Sequence, residues 1–138
     1  CMTSYETVNE DGSFRNIVHI DERLDYKKFL KKPPTCSHTI MFDTELVDKK
    51  ALVMPDIRKR QDAATWLQVI KLYGCLHGFD EVLAANRKRS DSLSANKVSA
   101  VKGTWFLYTE IEGLSKPYAG YCLFWQMFHA VLKRIGKR

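Results

Sequence analysis

The chain has no paired cysteines. Its four, Cys1, Cys36, Cys75 and Cys122, lie far apart, with no Cys-x-x-Cys pair and no matched histidine spacing. That pattern argues against a disulfide framework or a zinc site and fits a reducing compartment. The opening residues are polar, without the apolar segment of a secretory leader, so the expected location is cytoplasmic. No apolar run reaches the roughly 20 residues that a bilayer-spanning helix needs. There is no internal repeat and no low-complexity run. A nucleic-acid recognition motif is also missing, and no aromatic residue is interleaved with the basic runs to stack on bases.

What is present suits one modest domain over residues 1–138. The chain has 138 residues, 45% of them apolar, which is ordinary for a single globular core. The net charge of +6 is clustered. Lys27, Lys28, Lys31 and Lys32 form one group, Arg58 to Arg60 a second, Arg87 to Arg89 a third, and Lys133, Arg134, Lys137 and Arg138 a fourth. A phosphorylated small ligand and an anionic membrane surface would both select for such charge. Solvated faces are the default account of Lys27 to Lys32.

The periodicity predicts an α/β chain. Tyr5 to Val8 and Phe14 to Ile20 read as strands joined by the turn Asn9-Glu10-Asp11-Gly12-Ser13. Asp25 is a candidate N-cap for a short helix ended by Pro33-Pro34. Thr35 to Phe42 reads as a strand, followed by a charged loop to Gln61. A helix from Asp62 to about Tyr73 should stop at Gly74, and Cys75 to Asn86 should form one or two short strands. Helices over 98–135 close the chain, the first with Val98, Val101, Trp105 and Tyr108 along one stripe. Ser115 should cap the second, with Pro117 in its first turn.

The stretch from Met54 to Leu67 concentrates the chemistry. Trp66, Val69, Ile70 and Tyr73 fall on one helical face, which places Asp62 at the helix start beside Arg58, Lys59 and Arg60. A carboxylate held there by a rigid helix could act as a general base near an anionic ligand. It could equally be a helix cap, the commoner use of such an Asp. Trp66, on the apolar face, reads as core rather than as a platform for a ligand. His38 and His77 have no partner at ligand spacing and read as structural.

Gln61-Asp62-x-x-x-Trp66-Leu67 resembles the acidic-Asp-x-x-x-Trp motif of family 2 glycosyltransferases, which are inverting enzymes with a GT-A, nucleotide-diphosphosugar-binding fold. Cys36-Ser37-His38-Thr39-Ile40-Met41-Phe42-Asp43 resembles the small-residue strand before that motif. Arg87-Lys88-Arg89-Ser90-Asp91-Ser92-Leu93-Ser94 resembles the Arg-then-Ser-x-Ser loop after it, although Asn86 stands where an aromatic often precedes the Arg. The resemblance runs from about Tyr5 to the final helix.

It implies that Asp62 deprotonates the acceptor hydroxyl and that Arg87 approaches the donor phosphates. Arg60 joins the donor and acceptor site, and Gln61 hydrogen-bonds acceptor or loop or is simply an exposed polar residue. Arg87 is otherwise a surface charge, and Ser92 and Ser94 either bond phosphate or cap the next helix. The partners implied are a nucleotide-diphosphosugar and a glycan or lipid-linked acceptor. Two family features are missing: an apolar strand ending in Pro-x-Tyr-Asn, and an Asp-x-Asp motif that holds a divalent metal, Mg or Mn, on the donor diphosphate. Asp43 with Glu45 follows a strand in the wrong place and does not stand in for that motif. The fold class expected is therefore the C-terminal, acceptor-side part of a GT-A-like fold, a mixed sheet with flanking helices. The expected fragment lacks its N-terminal half, binds no metal itself, is inactive alone and self-associates as a homo-oligomer.

From Tyr118 to Leu132 the last helix is apolar almost all round, interrupted by Gln126 and His129, and it ends in a basic run. Packing on the core, lying on an anionic membrane face, or leading into a further membrane segment are three readings of it. A non-catalytic basic module, binding nucleic acid or an anionic membrane, is the competing function for the chain. It predicts steeply salt-dependent binding.

Overall fold

The structure is a computed structural model, described over residues 1–33, 36–89 and 97–135. It opens with β1 (Met2–Val8) and β2 (Phe14–Val18), paired antiparallel as the hairpin expected. In the turn, the Asp11 carboxylate accepts from the Ser13 backbone N–H at 2.9 Å and the Ser13 hydroxyl at 2.7 Å. The short strand β3 (Arg23–Leu24) leads into α1 (Tyr26–Lys31), and Asp25 caps it by accepting from the Lys28 N–H at 2.9 Å. Helix α2 (Gln61–Tyr73) follows the long loop, then β4 (Leu76–Arg87), α3 (Lys97–Phe106) and α4 (Lys116–Ile135).

The sheet has four strands in the order β2-β1-β4-β3. β1 and β4 run parallel and the outer pairs antiparallel, so the sheet is mixed, with helices flanking it. β4 is one continuous strand that bulges against β1 between Phe79 and Ala84. Gly78 is required where β4 meets the chain ahead of β3. A Cβ there would collide with the Asp21 carbonyl and the Ile20 side chain, while the Gly78 N–H donates to the Glu22 carbonyl at 2.8 Å. Beside it, Asp80 accepts from the buried Ser4 hydroxyl and lies 2.8 Å from His19 Nδ1. The Ser4 hydrogen bond first, and His19 after it, hold the Asp80 carboxyl below the usual carboxylate range.

Two expectations are corrected. Thr35 to Phe42 was expected as a strand, but Ser37–Thr39 form a 3-10 turn and Ile40 makes only an isolated bridge to Met2. The Thr39 hydroxyl and N–H both fold back on the Cys36 carbonyl, so local bonds replace a ladder. The expected apolar stripe of α3 is split. Val98 (67% exposed), Val101 and Trp105 face outward, whereas its fourth member, Tyr108, is buried together with Thr104 and Leu107. The small residues of α3 allow this: a Cβ at Gly103 would lie 3.4 Å from the Lys59 side chain, so this face approaches the loop closely. A wider π-type turn at Leu107–Ile111, with the Glu112 N–H bonded to the Leu107 carbonyl at 2.9 Å, then brings Tyr108 into the core.

The core is built around α2. Ala63, Ala64, Trp66, Leu67, Val69 and Ile70 are all buried, with Phe29 meeting Trp66 edge to face at 6.1 Å. The helix stops as expected at Gly74, where φ is 92° and the N–H closes on the Ile70 carbonyl at 2.8 Å. One buried charge ties the helices together. The Glu112 side chain is 2% exposed, accepts from the Tyr26 hydroxyl at 2.6 Å and pairs with Lys71 at 3.0 Å. Burial first, and the bond to Glu112 second, push the Tyr26 phenol well above its ordinary range. Tyr26→Phe therefore removes a charge-assisted bond from a buried carboxylate, with an expected loss of about 1.5–3 kcal/mol in denaturant unfolding. A loss under about 0.5 kcal/mol would show that Lys71 alone satisfies Glu112.

Candidate functional site

A cleft of about 380 Å³ opens where the start of α2, the end of β4 and the last two helices meet. The parallel pairing of β1 with β4 sets one wall. Thr7 lies opposite Asn86 and Val8 opposite Arg87, and the Lys88 N–H extends the ladder to the Val8 carbonyl at 2.9 Å. This register delivers Asn86, Arg87, Lys88 and Arg89 to the cleft. Phe29, Trp66 and Leu107 make its apolar side. Trp66, 5% exposed, belongs to the core, as its helical position indicated.

Asp62 enters from α2. It lies in the first turn but is not the N-cap, because that position is taken by Arg60, whose carbonyl accepts the first helical bond from the Ala64 N–H at 2.9 Å. Asp62 Oδ1 accepts from the Ala63 N–H at 2.8 Å and Oδ2 from the Ser37 hydroxyl at 2.8 Å. Each oxygen is oriented by one donor and keeps acceptor capacity toward the cleft. Among the described residues lining the cleft, Asp62 is the one acidic group, against Arg60, Arg87, Lys88 and Arg89. The arrangement can hold a phosphorylated ligand and place a carboxylate beside it.

Of the residues singled out from sequence, Asp62, Arg60 and Arg87 come together here. Gln61 is exposed and is not among the residues lining the cleft. Ser92 and Ser94 lie outside the described residues. Sequence reasoning gave no site role to Ser37, Lys88, Arg89, Tyr108 or Gln126. Gln126 carried a signal, as a polar residue interrupting an apolar helix. Its amide donates to the Leu30 carbonyl at 2.9 Å and to the Tyr108 hydroxyl, which itself donates to Leu30 at 2.6 Å. Burial pushes the Tyr108 phenol well above its ordinary range, so it stays a neutral donor.

The chain is 38% identical over 135 residues to the "Putative teichuronic acid biosynthesis glycosyltransferase TuaG" of Bacillus subtilis (strain 168), an alignment covering 97% of this chain and 53% of that relative. The chain is thus similar over nearly its whole length to a protein named as a putative glycosyltransferase. It spans about half the length of the curated protein it matches. No protein-family model matches it, and no solved structure does.

The divalent metal implied by the glycosyltransferase resemblance has no fit here. Among the described residues no three His, Cys, Asp or Glu side chains gather to hold a metal ion. Cys36 lies 3.3 Å from a His38 ring nitrogen and accepts from Asn86, but burial raises its thiol above the usual range, which makes it a poor ligand or nucleophile.

Arg60 holds a left-handed conformation, φ 66° and ψ 19°, the one non-glycine residue at positive φ among those described. Strain of this kind gathers at functional positions, where the side chain is needed despite the backbone cost. Arg60→Gly is expected to leave thermal stability unchanged or raise it by up to about 1 kcal/mol, while weakening anion binding in the cleft. A clear loss of stability would show that the packing of Arg60 outweighs the strain.

Proposed function

We propose that this chain carries the acceptor-side part of an inverting, family 2 glycosyltransferase with a GT-A-like fold, which moves a sugar from a nucleotide-diphosphosugar to an acceptor hydroxyl. The observation that carries the reading is the meeting of Asp62 with Arg60 and Arg87 in one cleft of a chain that aligns to a glycosyltransferase over 97% of its length. The relative's name places it in teichuronic acid biosynthesis, which supports a surface polysaccharide or glycolipid as the acceptor.

In this reading Asp62 accepts the proton of the acceptor hydroxyl as that oxygen attacks the anomeric carbon. The bond from that carbon to the diphosphate breaks, and configuration at the carbon inverts. Ser37 and the Ala63 N–H keep the carboxylate aimed during proton transfer. Charge grows on the departing nucleoside diphosphate, and the guanidinium groups of Arg60 and Arg87 suit it through bidentate bonding. Lys88 and Arg89, beside Arg87, add to the same field.

The test is nucleoside-diphosphate release from a panel of nucleotide sugars by the full-length protein, with Asp62→Asn beside the wild type. General-base loss should cost about a hundred- to ten-thousand-fold in turnover, with donor affinity nearly unchanged. Equal losses in affinity and turnover would reduce Asp62 to a structural residue of the first helical turn. Salt-dependent binding of nucleic acid without release from any donor would favour the basic-module reading.

A further inference from the structure

Helix α4 has two apolar faces, and the protein covers one of them. Ala119 and Cys122 are fully buried, and Gln126 on the same side reaches the Leu30 carbonyl of α1. At 3.6 residues per turn the opposite side carries Tyr121, Phe124, Trp125, Phe128, Val131 and Leu132. Phe124 is 58% and Phe128 42% exposed, and all of these but the half-buried Trp125 are exposed. The rings pack on one another rather than on the core. Phe124 stacks on Phe128, and Trp125 meets Phe128 edge-on at 5.5 Å and Tyr121 at 6.3 Å. The result is a continuous exposed aromatic ridge, the kind of contiguous apolar surface that marks an interaction site.

Charge at the rim selects the occupant. No Asp or Glu occurs from Lys116 to Ile135. Lys31 of the adjoining α1 sits over the Tyr121 ring, 5.4 Å from its centroid, and Lys27, Lys28 and Lys116 are exposed. In sequence the helix ends in further basic residues, Lys133 and Arg134, then Lys137 and Arg138. Two copies joined through this face would set basic rim against basic rim with no carboxylate on either α4. An anionic lipid surface supplies the complementary charge and an apolar layer beneath it. Among the described residues no helix is long and apolar enough to cross a membrane, so a helix of this kind lies along one.

We propose that the outward face of α4 docks on an anionic membrane surface, the helix lying flat with Phe124 and Phe128 entering the headgroup–acyl boundary. The docking does not depend on which reaction the cleft performs. It also explains why a helix apolar nearly all round remains half uncovered.

Co-sedimentation of the full-length protein with phosphatidylcholine vesicles, with and without phosphatidylglycerol, tests the proposal. Binding should require phosphatidylglycerol and fall steeply as salt is raised. The double substitution Phe124→Ser with Phe128→Ser should weaken it by at least about tenfold, since both rings lose their burial in lipid. Far-ultraviolet circular dichroism should show the variant folded, and Lys31→Gln with Lys116→Gln should also weaken binding to the phosphatidylglycerol vesicles. Equal binding to neutral vesicles, or a folded double variant that binds as well as wild type, would overturn the proposal. So would the absence of vesicle binding, or a self-association that the serine substitutions abolish, which would assign the ridge to a second copy.

Discussion

Burial of α2 is the constraint on which the rest of the molecule depends. Trp66, Leu67, Val69 and Ile70 are each at most 5% exposed, and burying such side chains contributes roughly 1.5–3 kcal/mol apiece. The helix's buried residues begin at Ala63, directly after Asp62 in the first turn. Phe29 of α1 reaches it through Trp66, and the segment after the π-type turn reaches it through Glu112 and Lys71. The same packing that stabilises the protein therefore holds the Asp62 carboxylate at the cleft.

Polar bonds refine what apolar packing leaves loose. Leu30 ends in a carbonyl that both Tyr108 and Gln126 satisfy, so α1, the π-type turn and α4 share one acceptor beside the cleft. Buried groups of this sort specify position, because a slip of any one helix would leave a donor unpaired in an apolar setting. Ser37 plays a similar part for Asp62 from a 3-10 turn where a strand was expected. A strand would alternate its side chains across a sheet. The turn instead lets Ser37 lean toward α2 while Cys36 is buried behind it.

Much of this was legible in the residues. The hairpin, the Asp25 cap, the glycine stop after Tyr73 and the burial of Trp66 each follow from local chemistry: turn residues, capping geometry and helical period. Asp62 stood out because it begins a helix beside Arg58 to Arg60, while Arg60 and Arg87 were named through the glycosyltransferase resemblance; the three line one cleft. Lys88, Arg89 and Ser37 lie within the same family-like segments. Nothing local distinguishes a basic residue aimed into a cleft from one aimed at solvent. The stripe on α3 misled for a related reason. Val98, Val101, Trp105 and Tyr108 obey the helical period, yet the change of helical pitch after Phe106 buries Tyr108 while the other three stay exposed.

The sequence by itself determined the first hairpin, the helices α1 and α2 with their ends, and a carboxylate at a helix start beside basic residues. Those properties depend on neighbours a few positions apart. Tertiary structure alone decided that residues 26 positions apart, Asp62 and Lys88, line one cleft, through the parallel register of β1 with β4. It also decided which half of α4 is covered: Ala119 and Cys122 are buried there, and Gln126 bonds to the Leu30 carbonyl. Register and helix rotation are settled by partners distant in the chain, which local pattern does not encode.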